Sequence, residues 1–289
     1  MRLFLRIARA SSIHVSCALL SVVFGFTACK WSDSLLTVRS SGETDGSPVG
    51  GGVCTNHEAL DASVGLAENL IAWYPCESAA NASETLLPDS TGHGNDGTLV
   101  TGTGGGPGYS FAPGKVGNAL DLVLASQGHV TLPAGMLAGA CEVTIATWVY
   151  INSNVNAWTR IWDFGQDTNT YMFLTPITNT DNVARFGISV GGNTHEEVII
   201  AASEVPILKW THVAVVLGAS GGTLYFDGSP VGSNASMVLR PADLGRTVNN
   251  YIGRSQFSDD PYLDANVDEF RIYNRALSQE EIRVLANGS

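Results

Sequence analysis

Trp210-Thr-His-Val-Ala-Val-Val-Leu217, followed by Thr223-Leu-Tyr-Phe226 and Asp227-Gly228, is the stretch that decides the fold. Its first segment is apolar at both alternating sets of positions and rich in β-branched residues, the pattern of a strand covered on both faces. Asp-Gly tolerates positive φ at both positions, so it closes a tight hairpin into whatever strand follows. This segment is therefore expected to form antiparallel sheet with a layer packed against it.

The same pattern repeats on both sides of that hairpin. Val143-Thr-Ile-Ala-Thr-Trp-Val-Tyr-Ile151 is a second inner strand, and Leu70–Cys76, Asn118–Leu122, His129–Leu132, Arg160–Phe164, Tyr171–Leu174 and Arg185–Ser189 are shorter runs. In the last strand, Asn266–Tyr273, alternation puts Asp268, Phe270 and Ile272 on one face and Glu269, Arg271 and Tyr273 on the other. Ser278-Gln-Glu-Glu281 is a capping box, and Ile282 and Leu285 give the short helix behind it an apolar stripe. With 32 Gly, 11 Pro and only 15% charged residues, the composition suits many short strands and tight turns. About a dozen strands, one terminal helix and no βαβ rhythm predict an all-β, antiparallel two-sheet jelly-roll sandwich.

The N-terminus reads as an export signal. Arg2, Arg6 and Arg9 precede an apolar run from Ile13 to Phe26, and Phe26-Thr-Ala-Cys29 resembles a bacterial lipobox whose cysteine becomes the lipidated first residue. Phe26 stands where that motif prefers Leu, and an ordinary cleaved signal or a short anchor is the alternative. The expected organisation is a signal peptide at 1–28, a Ser/Gly/Thr-rich tether at 29–65 and a folded domain at 66–287. Loss of 1–28 removes three arginines and no acid, taking the net charge from −12 to −15. So acidic a chain without a Lys/Arg run is a poor match for nucleic acid, and membrane attachment is expected through the Cys29 lipid only. The localisation that follows is export to the cell surface or outer membrane, or free secretion. Once Cys17 and Cys29 are set aside, Cys54, Cys76 and Cys141 remain, enough for one disulfide in an oxidising compartment. Cys76 and Cys141 lie beside strands and are the expected pair; three reduced thiols are the alternative.

Several segments together resemble the laminin-G-like jelly-roll family. They are Trp210–Val215 with Gly222-Thr-Leu-Tyr-Phe-Asp-Gly228, Asn249-Asn-Tyr-Ile-Gly-Arg254, Val267-Asp-Glu-Phe-Arg-Ile-Tyr273 with its sequel to Ser278, Asp89-Ser-Thr-Gly-His-Gly-Asn-Asp-Gly97 and Thr144–Trp148. They occur in the family's own order across about Leu66 to Ala286. The resemblance implies a concanavalin A-like fold and binding of carbohydrate or protein, without specifying the ligand. It also implies a structural calcium held by Asp89, Asn95 and Asp268, since hard oxygen donors from a turn and a strand suit that ion. The alternative for Asp89 is a turn in which its carboxylate caps its own loop.

A sugar surface asks for flat rings and a few forked polar groups. Trp158, Arg160, Tyr171, Arg254, Phe257 and Tyr262 are the candidates, with a polysaccharide or glycan as the expected partner and a surface protein as the alternative. Trp148 and Trp210 are expected in the core. Asp163-Phe-Gly165 lacks any nucleotide loop, His195-Glu-Glu197 lacks a second histidine, and the cysteines lack zinc spacing. β-Glucan hydrolases of this fold set Glu-x-Asp-x-Glu along one strand, and no strand here carries that array. The expectation is a binding protein, with a polysaccharide hydrolase as the weaker alternative.

Overall fold

The computed structural model describes residues 65–78, 85–152 and 155–288. The expected signal, the tether up to residue 64 and Cys29 lie outside the described residues. In chain order the strands are β1 (Leu70–Tyr74), β2 (Leu86–Leu87), β3 (Gly97–Val100), β4 (Tyr109–Pro113), β5 (Asn118–Leu122), β6 (His129–Leu132), β7 (Val143–Ile151) and β8 (Trp162–Gly165). They continue as β9 (Tyr171–Thr175), β10 (Arg185–Ser189), β11 (Glu197–Ile200), β12 (Trp210–Gly218), β13 (Gly221–Phe226), β14 (Ser229–Asn234), β15 (Asn249–Ile252) and β16 (Ala265–Tyr273), before helix α1 (Gln279–Ala286).

These strands form two antiparallel sheets of eight. The first runs β14-β13-β12-β7-β16-β5-β4, with β1 also on β16; the second runs β11-β10-β9-β8-β15-β6-β3-β2. The Trp210–Leu217 run and the Thr223–Phe226 run lie in β12 and β13, joined in register from Val213↔Phe226 to Gly218↔Gly221. Asp227 (φ 45°) and Gly228 (φ 75°) then turn the chain into β14, as the hairpin signal requires. β7 is central, between β12 and β16, and only Tyr150 along it escapes full burial.

Between the sheets lie Ile145, Val149, Val213, Val215, Phe270 and Ile272 from the first and Trp162, Phe164, Met172, Leu174, Phe186 and Ile252 from the second, all within 1% exposure. A smaller cluster on the outer face of the first sheet packs Ala146, Ala214 and Tyr273 under Ile282 and Leu285 of α1. Ser278 caps α1 as expected: its Oγ accepts from Glu281 N, and Glu281 accepts from Ser278 N. Trp148 is buried as expected, though on that outer face against His212 at 5.3 Å, whereas Trp210 is only half-buried and departs from expectation.

β16 departs from simple alternation. Its register slips between Asp268↔Trp148 and Arg271↔Ala146, and Glu269 stands at φ 54°, so one extra residue forms a β-bulge. The bulge separates the half of β16 paired with β5 from the half paired with β1. Phe270 and Ile272 therefore enter the core, whereas Asp268 joins Trp148 and Arg271 on the outer face. The expected grouping of Asp268 with Phe270 and Ile272 is thus corrected.

The Cys76–Cys141 pairing is also corrected. Cys76 is a free, buried thiol whose Sγ lies 3.4 Å from the Tyr74 carbonyl, and it belongs to the core. Cys141 is itself disulfide-bonded. Both flank strands, but one faces the interior, so sequence proximity to a strand did not report which could meet a partner.

Candidate functional site

The second sheet alternates along its strands. Trp162, Phe164, Met172, Leu174 and Phe186 fill the core, so Asp163, Tyr171, Phe173 and Arg185 stand on its outer face. Two loops lie over that face, the segment before β8 and the segment between β15 and β16. Phe173 takes the central position because Gly187, its partner on β10, leaves room: a Cβ there would come within 3.1 Å of the Phe173 ring.

Arg160 is the hub of this layer. Its guanidinium lies 3.9 Å above the Phe173 ring, with Nη2 2.8 Å from Asp260 Oδ2 and Nε 3.4 Å from Asp163 Oδ2. Asp163 is fully buried and also accepts from Gln256 N at 3.1 Å. Burial pushes its carboxyl up to about 7, against the opposing charge of Arg160 and the Gln256 bonds. Alongside, the Tyr171 hydroxyl donates to Glu196 Oε1 at 2.6 Å and Arg185 pairs with Glu196 Oε2. Burial and then the Glu196 contact push the Tyr171 hydroxyl far above its ordinary range.

Arg160 and Tyr171 are 2% and 0% exposed. They brace the layer from beneath, and the expectation that they face a ligand directly is corrected, because the Phe257 ring and the Asp260 carboxylate cover them. Trp158 and Phe257 are half-buried and form the accessible lip. Phe257 stands edge-on to Tyr171 at 5.5 Å. The guanidiniums of Arg160 (5.9 Å) and Arg185 (5.7 Å) both lie near the Trp158 ring. Its φ of 66° is a left-handed conformation that a bulky residue adopts at a cost of about 1–2 kcal/mol. Hydrogen bonds hold it there, from Trp158 N to Ile177 O (3.0 Å) and from Arg160 Nη1 to Trp158 O (2.5 Å).

Arg254 and Tyr262, the remaining two candidates, meet a neighbouring cluster on the same face. Tyr251 of β15 pairs with Asp163 of β8, which ties this cluster to the first. Arg254 lies 4.7 Å over the Tyr251 ring, and His129 contacts Tyr251 and Tyr262 at 5.9 and 5.5 Å. All six expected residues therefore fall on the outer surface of one sheet. Sequence reasoning missed Glu196 as the partner of Tyr171 and Arg185, together with His129 and Tyr251. Alternation along β6 and β15 could have signalled His129 and Tyr251, whereas Glu196 lies just before β11 and carried no such signal.

The implied calcium set behaves differently. Asp89 accepts from Trp73 N, Thr91 N, the Thr91 hydroxyl and Asn95 N, which occupies both carboxylate oxygens. Burial alone would raise its carboxyl, but these bonds hold it below the ordinary carboxylate range. Asn95 gives its side-chain amide to Ile71 O, and its backbone carbonyl accepts from Tyr74. Asp89 thus caps its own loop, and the Asp89 and Asn95 donors as arranged do not fit a cation. Asp268 belongs to another turn, where its Oδ2 accepts from Lys115 N (2.8 Å) and Val116 N (2.9 Å). Asp268 Oδ1 is buried without a partner. Glu77 grips the same turn through Asn118 N at 2.9 Å, and a Cβ on Gly117 would run into its carboxylate. Two carboxylates on one turn, one with an orphaned buried oxygen, are hard donors of the kind calcium takes. Among the described residues no group of three or more His, Cys, Asp or Glu side chains is poised for a metal ion.

Residues 124–283 match the model of the family described as Laminin_G_3, concanavalin A-like lectin/glucanases superfamily. Among solved structures, domain 4 of AbnA, a GH43 extracellular arabinanase from Geobacillus stearothermophilus in complex with arabinotriose, superposes with a TM-score of 0.63 at 23% identity, over 75% of this chain and 98% of that one. The binding domain of botulinum neurotoxin DC in complex with rat synaptotagmin II gives 0.56 at 15% identity, over 78% of this chain and 52% of that one. Trypanosoma rangeli sialidase in complex with the inhibitor DANA gives 0.52 at 18%, over 74% and 32%. This chain therefore spans about half of the toxin domain and a third of the sialidase. No curated protein matches. At these identities the likeness establishes the fold.

Proposed function

The chain belongs to the concanavalin A-like lectin/glucanases superfamily through its Laminin_G_3 match, and from that premise we propose that it is a non-catalytic carbohydrate-binding protein. The observation that carries this reading is the outer face of the second sheet. There the accessible rings of Trp158 and Phe257 are set by a buried Arg160–Asp163–Asp260 network, and Trp158 is held in a strained backbone state. Rings fixed by buried charge are preorganised, so a sugar stacking on them orders few groups on binding. The solved arabinotriose complex of the AbnA domain supports the ligand class by likeness of fold alone.

The β16 bulge bears on the catalytic alternative. It brings adjacent Asp268 and Glu269 onto the outer face of the first sheet, but Glu269 Oε2 is bound by Trp73 Nε1 (2.9 Å) and by Arg271. These contacts support a structural role for Glu269. We assign calcium to the Gly114–Asn118 turn, where the buried, unpartnered Asp268 Oδ1 would be its donor. Export with lipidation at Cys29 belongs to the same reading and would present the domain at the cell surface.

Affinity electrophoresis in a panel of soluble polysaccharides, with and without calcium, tests the function. The expected result is retardation by at least one polymer and an about tenfold weakening in Trp158→Ala and Phe257→Ala. Binding to none would overturn the reading, and capture of a surface protein dependent on Trp158 would favour the adhesion alternative. Release of reducing ends, abolished by a single carboxylate substitution, would contradict the non-catalytic assignment.

A further inference from the structure

The candidate face carries three arginines, and they differ in how they are neutralised. Arg160 is bound by Asp163 and Asp260, and Arg185 is bound by Glu196. Arg254 has no carboxylate within 4 Å among the described residues. Its guanidinium lies over the Tyr251 ring, and Nη1 sits 3.4 Å from His129 Nε2.

The hydrogen bonding of His129 specifies what that contact is. His129 Nδ1 lies 3.0 Å from the Gln127 carbonyl, so this nitrogen carries the proton and Nε2 accepts from Arg254. The imidazole is therefore a neutral prop, held in place by Tyr251 and Tyr262. Aromatic stacking covers one side of the guanidinium and the imidazole takes one nitrogen, while Arg254 itself is only half-buried. The remaining donors form a planar fork with a fixed orientation, the geometry that grips an oxyanion in two parallel bonds. Of the three arginines on this face, Arg254 is thus the one that no carboxylate neutralises among the described residues. It stands on the loop that supplies Phe257 to the ring-lined lip.

We infer that the saccharide bound on this face is anionic, with the oxyanion of a uronate or a sulfate ester taken by Arg254. This rests on the carbohydrate-binding reading above and narrows its substrate class. Polyanions are repelled by the net charge of the chain, so their capture would have to come from the local site.

The test pairs polymers of matched backbone: polygalacturonate against its full methyl ester, and dextran sulfate against dextran. Each is measured with the wild type, Arg254→Gln, Arg254→Lys and Trp158→Ala, with the melting temperature recorded for every variant. The expected result is about tenfold or greater preference for one charged member, identifying uronate or sulfate, with the preference lost in Arg254→Gln. Arg254→Lys should keep a weaker, more salt-sensitive preference, because it retains charge without the fork. Equal binding of charged and neutral members, or an unchanged preference in a folded Arg254→Gln, overturns the inference. Trp158-dependent binding of neutral polymers alone leaves the site standing and removes the anionic class. Failure to bind any saccharide removes both.

Discussion

Asp163→Asn should change how stability depends on pH. Asp163 is buried at 0% exposure, and its carboxyl is pushed from an ordinary 3.8 up to about 7, chiefly by burial. In the unfolded chain the proton leaves near 3.8, whereas the folded state keeps it until about 7. Between those values the unfolded state binds fewer protons, so this group's contribution falls as pH rises and is most favourable in acid. At roughly 1.36 kcal/mol for each pH unit, the loss across that window is about 4 kcal/mol. Asn has no such proton. Its amide oxygen can still accept from Gln256 N, and Arg160 keeps Asp260, so the layer retains its framework. The unfolding free energy of the wild type minus that of Asp163→Asn, from urea melts, should therefore drop by about 4 kcal/mol between pH 4 and pH 8. For a domain of this size that corresponds to roughly 8–16 °C in melting temperature. His212, which burial pulls down to about 4, and Asp268, which burial and then Glu269 push up to about 6, titrate in both proteins and cancel in the difference. A difference constant within about 1 kcal/mol would show that Arg160 fully offsets the burial of Asp163, and would refute this reasoning.

Three further outcomes follow from particular contacts. Without reductant, Cys76 should resist alkylation in the native protein and react after denaturation, as peptide mass mapping can read; a Cys76–Cys141 cross-linked peptide would contradict the buried free thiol. Ser278→Ala removes the acceptor for Glu281 N and should cost about 1 kcal/mol in urea melts while leaving saccharide binding intact. Calcium should raise the melting temperature of the wild type and have no such effect on Asp268→Ala; an equal rise in both would remove the metal from the Gly114–Asn118 turn.

The parts of the structure legible in sequence were those set by local rules. The Asp227-Gly228 hairpin, the doubly covered β7 and β12 and the capping box of α1 each depend on residues within a few positions of one another. The six aromatic and arginine candidates were identified by chemical type, and alternation along short strands carried them to one face. Their depth was not legible. Arg160 and Tyr171 are buried because the loop after β15 returns over them, a contact about a hundred residues away in sequence for Arg160 and Asp260. The face of Asp268 was misread because the β16 bulge sits at Glu269, with no glycine to announce a positive φ. The Cys76 pairing failed for a related reason, since the side of the sheet a flanking residue enters is decided by packing.

The central claim is that the outer face of the second sheet holds a saccharide, and its most direct test is an NMR titration with the first oligosaccharide found to bind. The account predicts perturbed amide and side-chain signals at Trp158, Tyr251, Arg254 and Phe257, with β7 and β12 of the opposite sheet unmoved. Perturbations confined to the first sheet, or to the Asp89 loop, would contradict it.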